Sequence, residues 1–251
     1  MRIDFPTPSQ IPQLRRLWKE AFSDEDAFLD QFFSTAFSSR RCRCVELDGQ
    51  IAAGLYWLDC WYNGGKIAYI YAVATGQTYR GQGLCAALMA DTHTLLTQLG
   101  YAGAILVPGD EGLFRMYGKM GYQTCSHISV KTVSASKTAT ALRQICAEEY
   151  AQLRRLLLPD GGVIQEGENL SFLEKLAHLY AGEGFVFCAA LEDGRLFVPE
   201  LLGDITAAEG IVAALGATEG TFRYPGPDRP FAMYCSFSPV PMPQYFGLAF
   251  D

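Results

Sequence analysis

The chain has 251 residues, 49% of them hydrophobic and 19% charged, enough to bury one large core or two smaller ones and incompatible with a disordered, collagenous or fibrous class. No apolar run reaches the roughly 18 to 20 residues of a spanning helix, and the opening MRIDFPTPSQ lacks the apolar stretch and cleavage site of a secretory signal. The expected setting is therefore cytoplasmic, with no membrane partner. A net charge of -7, with Arg40, Arg41 and Arg43 as the densest basic group, argues against nucleic acid as a partner and suits a cationic amine. The eight cysteines contain no CxxC pair and stand beside only three histidines. They read as free, mostly buried thiols, and no metal site is expected.

In chain order, the first expected helix starts behind Ser9 as N-cap, with Ile11, Leu14, Leu17, Trp18 and Ala21 at spacings of three and four. A second follows Asp24, with Phe28, Leu29, Phe32, Phe33 and Phe37 on its apolar side. The period then changes to that of strands over residues 42–47, 51–60 and 66–75, joined by turns at Asp48-Gly49 and Asn63-Gly64-Gly65. This antiparallel meander runs into a glycine turn, Thr78-Tyr79-Arg80-Gly81-Gln82-Gly83. A helix follows, with Leu84, Leu88, Leu95 and Leu99 on one stripe and Gly100 closing it. Next come a strand over 102–107, a helix over 112–120 ended by Gly121, and a strand over 122–130.

The small, polar residues 132–140 read as a linker. Beyond it the pattern predicts helices over 141–158 and 170–180, strands over 185–191 and 195–202, a helix over 206–215, and strands over 221–224, 231–237 and 245–250. The expectation is an α+β chain of two domains, residues 1–131 and 141–251. The string Leu191-Glu192-Asp193-Gly194-Arg195 echoes Glu46-Leu47-Asp48-Gly49-Gln50 in the same strand-turn-strand setting, which suggests a diverged internal duplication.

The chemistry concentrates at residues 80–85. Glycines let backbone approach a ligand, the first amides of the following helix lack internal partners, and the helix dipole adds roughly half a positive charge there. That is a pyrophosphate cradle, against the plainer reading of a tight turn that uses glycine only for its positive φ. Gly81-Gln82-Gly83-Leu84-Cys85-Ala86 also fits a dinucleotide-binding G-x-G-x-x-A. Such a site opens a parallel βαβ unit with an acidic residue about 20 positions on, where this chain has Tyr101 after an antiparallel meander. A Walker A loop is excluded, since no Gly-Lys-Ser/Thr ends the turn.

Arg80-Gly81-Gln82-Gly83-Leu84-Cys85 resembles the acetyl-CoA signature of the GCN5-related N-acetyltransferases (GNAT), Arg/Gln-x-x-Gly-x-Gly/Ala, departing from it at Cys85. Ala72-Val73-Ala74-Thr75 resembles the family's bulged strand, and the run from Leu113 through Tyr117 to Tyr122 resembles its LYEKLGF segment. The resemblance covers residues 1–130. The rest is only distantly similar to a second, degenerate copy without a glycine loop, as in tandem acetyltransferases like the mycobacterial enhanced-intracellular-survival proteins.

The resemblance implies a GNAT fold, with a mixed, mostly antiparallel central sheet flanked by helices, followed by a smaller degenerate GNAT-like domain. It implies acetyl-CoA as co-substrate, contacted by Val73, Thr75, Arg80, Gly81, Gln82, Gly83, Leu84 and Cys85. Acetyl transfer would run directly to a primary amine of a small molecule or peptide, with Tyr117 as general acid and a main-chain amide near Val73 for the oxyanion. For the base, Asp110, Glu111, water and the terminal carboxylate of Asp251 stay open, the last because the chain terminus reaches the active site in the survival proteins. His93 and His127 read as packing or surface residues. The alternative is a non-catalytic acyl-CoA sensor or scaffolding module, and homo-oligomerisation is left open.

Overall fold

A computed structural model describes residues 1–250. The chain divides into two compact units, one made of Met1–Gln123 and Met233–Pro241, the other of Thr124–Ala232 and the stretch from Met242 onward.

The first unit opens with β1 (Arg2–Asp4) and α1 (Ile11–Phe22). A 3-10 turn over Pro8–Gln10 precedes α1, so the N-cap of α1 is Gln10 and not the expected Ser9; the turn itself is capped at Thr7, whose amide donates to Gln10 Oε1 at 2.9 Å. After α2 (Asp26–Thr35) come β2 (Cys42–Leu47), β3 (Gln50–Tyr62) and β4 (Gly65–Thr75), the expected antiparallel meander. Then follow α3 (Leu84–Gln98), β5 (Gly103–Leu106) parallel to β4, and α4 (Glu111–Gly118).

Period-two alternation divides the aromatic residues of the meander between the two faces of the sheet. Tyr56 and Tyr71 are cross-strand partners and meet Trp18 of α1 and Phe32 of α2 at ring-centroid distances of 5.0 to 5.6 Å. Their neighbours Trp57 and Ile70, also paired, belong to a separate core with Leu84, Leu88 and Met89 of α3 and Tyr117 of α4. Burying each such side chain stabilises by roughly 1.5 to 3 kcal/mol relative to leaving it in water. The stripe on α3 differs from the expected one. Its buried positions are Leu84, Leu88, Met89, Thr92 and Leu96; Leu95 is half-buried against the same core, while Leu99, at the C-cap just past the last helical residue, is 55% exposed.

The second unit holds β6 (Gln123–Ser134), which runs on into the stretch read as a linker, and the short β7 (Arg143–Gln144). The helix expected from 141 begins only at Ala147, as α5 (Ala147–Leu157), since β7 takes the residues before it. Beyond the two-residue β8 (Ile164–Gln165), the helix expected over 170–180 is α6 (Glu168–Leu176) and gives way to β9 (His178–Gly182), which pairs with β7 and β10. The unit continues with β10 (Phe185–Glu192), β11 (Arg195–Gly203), α7 (Ala208–Ala214) and β12 (Glu219–Pro225). Its strand order is β6, β12, β11, β10, β9, β7, with β11 and β12 parallel. The last strand, β13 (Arg229–Ser236), starts in this unit and ends in the first, where Met233 to Ser236 pair with β5.

Residues 245–250 are buried and apolar but form no strand. Side chains replace a ladder: Gln165 donates to the Leu248 carbonyl at 2.7 Å and accepts from the Leu248 amide at 3.2 Å, and Ser126 Oγ accepts from the Phe246 amide at 3.0 Å. Asp251 lies outside the described residues.

Both units share one sequence of elements. A strand, two helices, three antiparallel strands, a 3-10 turn, a helix and a parallel strand run from β1 to β5, with further 3-10 turns before α1 and β2, and again from β7 to β12, with β8 inserted between the helices. Among the described residues no helix is long and apolar enough to cross a membrane.

Candidate active site

Two irregularities in β4 open the site. Gly54 pairs with Ala74 and Tyr56 with Tyr71, so two steps on β3 face three on β4 and the strand bulges at Ala72 and Val73. Ala72 holds φ = +47°, a left-handed conformation that a non-glycine residue keeps only when its surroundings impose it. On the other edge, pairing with β5 stops at Tyr69↔Ile105, while β4 continues to Thr75. Beyond Tyr69 no residue of β4 is in register with β5, so the two strands splay apart there. The expected bulge beside Val73 is thus present. Val73 and Thr75 are half-buried on it.

The glycine turn begins where β4 ends. The Gly76 amide donates to Ala52 O at 2.9 Å, and the Gln77 amide to Glu20 Oε1 of α1 at 2.5 Å. Gly81 and Gly83 hold φ of +77° and +76°, and a Cβ at either would meet nothing within 4 Å. Glycine stands here for its left-handed backbone, with open space in front of it, so the structure keeps both the tight-turn and the cradle reading. What separates them is the helix start. Gly83 carries no side-chain cap, no acidic residue stands in the first turn of α3, and the first helical bond runs from Ala87 N to Gly83 O. The amides of Leu84, Cys85 and Ala86 therefore have no intrahelical acceptor. Arg80 is exposed, its Nε tied to Thr75 O at 3.2 Å, which leaves the guanidinium's terminal NH2 groups to face solvent or an anion. The Gln82 side chain bridges back to Thr78 O at 3.4 Å. The set fits a diphosphate: unserved amides at a helix N-terminus, one anchored cation and no opposing carboxylate in the first turn.

Tyr117 sits in the same cluster as Leu84, with Val73 and Cys85 packed against it. Its ring is 6% exposed, and burial, with the Cys85 thiol beside it, pushes the phenol well above its ordinary range. No hydrogen-bond partner serves its hydroxyl among the described residues. Tyr122, five positions on, contrasts with it: its ring meets Tyr117 edge-on at 5.8 Å, and its hydroxyl is bonded to His93 Nε2 at 2.8 Å. Burial also raises the Cys85 thiol, which disfavours a nucleophilic thiolate.

The base candidates separate. Asp110 Oδ1 caps α4 by accepting from the Leu113 amide at 2.8 Å. Glu111 is exposed and pairs with Arg115 at 3.6 Å. His127 is exposed on β6, and Asp251 falls outside the described residues. His93 was legible only as a packing or surface residue. Its step of four from Met89 and eight from Cys85 places it on the face that turns toward Tyr122. Among the described residues no cluster of three His, Cys, Asp or Glu side chains is arranged to hold a metal.

A bulged, splayed strand feeding an uncapped helix through a glycine turn defines an acyl-CoA-binding architecture of acetyltransferase type. Residues 2–125 match the family model of the acetyltransferase (GNAT) domain, a family of acyltransferases that take acetyl-CoA as co-substrate. Among solved structures, the chain is similar to a GCN5-related N-acetyltransferase from Kribbella flavida, with 18% identity over 93% of this chain and 70% of that one and a TM-score of 0.70. A GCN5-related N-acetyltransferase from Anabaena variabilis gives 15% identity, 93% and 72% coverage and a TM-score of 0.73. Eis1 from Mycobacterium abscessus gives 13%, 94% and 74% coverage and 0.67. At these identities the likeness is one of fold. No curated protein matches the sequence.

Proposed function

We propose that the chain is an N-acetyltransferase that moves the acetyl group of acetyl-CoA directly to a primary amine of a small molecule or peptide, with Tyr117 as general acid. Val73 and Thr75 contact the pantetheine arm, and the segment from Arg80 to Cys85 holds the diphosphate. Residues 141–251 are a degenerate copy of the domain formed by residues 1–131.

One observation carries the catalytic reading: Tyr117 has a buried ring, an unserved hydroxyl and a phenol pKa pushed up by burial. A neutral amine attacks the thioester carbonyl, the C–S bond breaks, and the departing sulfur takes the Tyr117 proton. Because the phenolate is then a stronger base than an ordinary one, it regains a proton from the N-protonated amide, which balances the cycle without a second side chain. A main-chain amide at the bulge beside Val73 donates to the carbonyl oxygen as charge develops there.

Tyr117→Phe is expected to lower kcat by about 100- to 1,000-fold, within the usual range for a proton-transfer group, with acetyl-CoA affinity little changed. Stopped thiol release across an amine panel measures the first and calorimetry the second. An unaltered rate would move the acid role elsewhere. Saturable CoA binding without acceptor-dependent thiol release would instead support a sensor.

A further inference from the structure

His93 is a polar ring placed where packing alone would be better served by an apolar one. It lies on α3 between Tyr122 and Phe237, at ring-centroid distances of 5.4 and 5.1 Å, each with an interplanar angle of 51°. Met89, Tyr117 and Tyr122 belong to the surrounding core, with Cys235 and Phe237 packed on it. Burying an imidazole costs desolvation energy that a Leu or Phe would not incur. What the imidazole adds is its 2.8 Å bond to the Tyr122 hydroxyl.

That bond has a consequence one ring further on. The Tyr117 hydroxyl is unserved, so no hydrogen bond orients the phenol, and its direction is set by ring packing alone. The Tyr122 edge-on contact, with an interplanar angle of 65°, is its aromatic neighbour in that packing. A Tyr122 ring pinned at both ends, by backbone and by His93, presents a fixed wall to Tyr117, whereas an unpinned ring slides along its own axis.

We propose that His93 is a positioning residue for the transfer reaction: it fixes Tyr122, and Tyr122 fixes the direction of the Tyr117 hydroxyl. The inference rests on the reading of Tyr117 as the acid. Burial pushes the His93 pKa down to about 4, so the imidazole is neutral at working pH and the bond joins two neutral groups. A misdirected donor loses rate while leaving binding intact, because positioning acts on the reacting geometry.

The test uses the full chain with acetyl-CoA and benzylamine, spermidine and lysine methyl ester as probe acceptors. His93→Phe and Tyr122→Phe keep both rings and remove the bond. Each is expected to lower kcat about 10-fold with KM for acetyl-CoA within about 2-fold, and the double variant to be no worse than either single one. His93→Gln, which restores a polar atom near the Nε2 position, should recover most of the loss. In a Tyr117→Phe background the same changes should have no further effect on kcat. Independently of activity, the Tyr117 ring signal in tyrosine-labelled protein, assigned by its loss in Tyr117→Phe, should broaden or shift in the two phenylalanine variants and return in His93→Gln. Unchanged kcat and an unchanged ring signal overturn the proposal, as does a kcat loss of equal size in the Tyr117→Phe background. Full activity in Tyr117→Phe alone sinks the acid reading, and the ring signal still decides whether His93 orients Tyr117.

Discussion

Two turns of this chain, the one after β4 and the one after β11, start from the same backbone and arrive at opposite chemistry. In each, three steps on one strand face two on its partner. Gly54 and Tyr56 pair with Ala74 and Tyr71, and Cys188 and Ala190 pair with Glu200 and Phe197. Aligning these registers sets Val73 against Pro199 and Ala74 against Glu200. Where the first unit has the Val73 amide, the second has a proline with no N–H. Pairing with the following parallel strand stops at Tyr69 in β4, two residues short of Tyr71. In β11 it runs through to Val198, one residue past Phe197, so the splay is closed. In the 3-10 turn that follows the strand, Gly76 of the first unit offers no side-chain cap, whereas the carboxylate of Asp204, capping the turn over Ile205–Ala207, accepts from the Thr206 amide at 2.8 Å and hydroxyl at 2.7 Å. The lesson is that a turn of this kind offers main-chain groups to a ligand only where the chain leaves them unserved.

The sharpest break of this comparison concerns Glu200. In the first unit the matching position is Ala74; in the second, Glu200 is fully buried and bonded to Arg154 Nε at 2.7 Å and Nη2 at 2.9 Å, to Tyr245 at 3.0 Å and to Tyr150 at 3.3 Å. Arg154 also donates to Val163 O and Gln165. Burial works against the Arg154 charge, but Glu200 outweighs it and the guanidinium pKa stays raised. Arg154→Ala strands a carboxylate in the core and is expected to destabilise by about 3 to 5 kcal/mol, read from denaturant melts. A loss under about 1 kcal/mol would mean that the network is solvated and the second unit less committed to structure than argued. Gly83→Val comes next. It forces a β-branched residue to φ near +76° and sets its side chain in the open space before the α3 amides, and it should weaken CoA binding by at least about 100-fold, or roughly 2.7 kcal/mol. Calorimetry that finds wild-type affinity would show that the diphosphate binds elsewhere.

How much of this was legible beforehand depended on whether a feature is local. The glycine turn lies within a short segment whose residue types state its geometry, while the bulge at Ala72 and Val73 and the placing of Tyr117 were legible only because short segments resemble those of a known family. His93 and Tyr122 are 29 positions apart, and only the packing of α3 reveals that they meet. The apolar run over 245–250 has strand composition, yet beyond an isolated bridge from Tyr245 to Gly162 its Phe246 and Leu248 main-chain groups are served by the side chains of Ser126 and Gln165, which no periodicity announces. The short strands β7 and β9 were absorbed into helices because two to five residues carry too little pattern to interrupt one. The difference between the two turns was invisible for another reason. Pro199 is an ordinary residue until the ladder register shows that it matches Val73.

Asp204 gives the finest probe of that match. Its carboxyl is held below the ordinary range by the Thr206 hydroxyl and then the Thr206 amide, the behaviour of a cap that works as an anion. If capping alone closed the second turn to ligands, Asp204→Ala would expose those donors and a second equivalent of CoA would bind. Other obstacles stand in the way. The helix behind it has seven residues, Glu209 stands in its first turn, and Thr140 packs against Gly210, its amide donating to Gly210 O at 3.0 Å. The expected outcome is therefore one CoA per chain in the variant as in the wild type, with a fall in Tm of only about 3 °C or less from the lost cap. Calorimetry that counts two equivalents would mean that a single carboxylate separates the two turns, and that the proline and the closed splay are secondary.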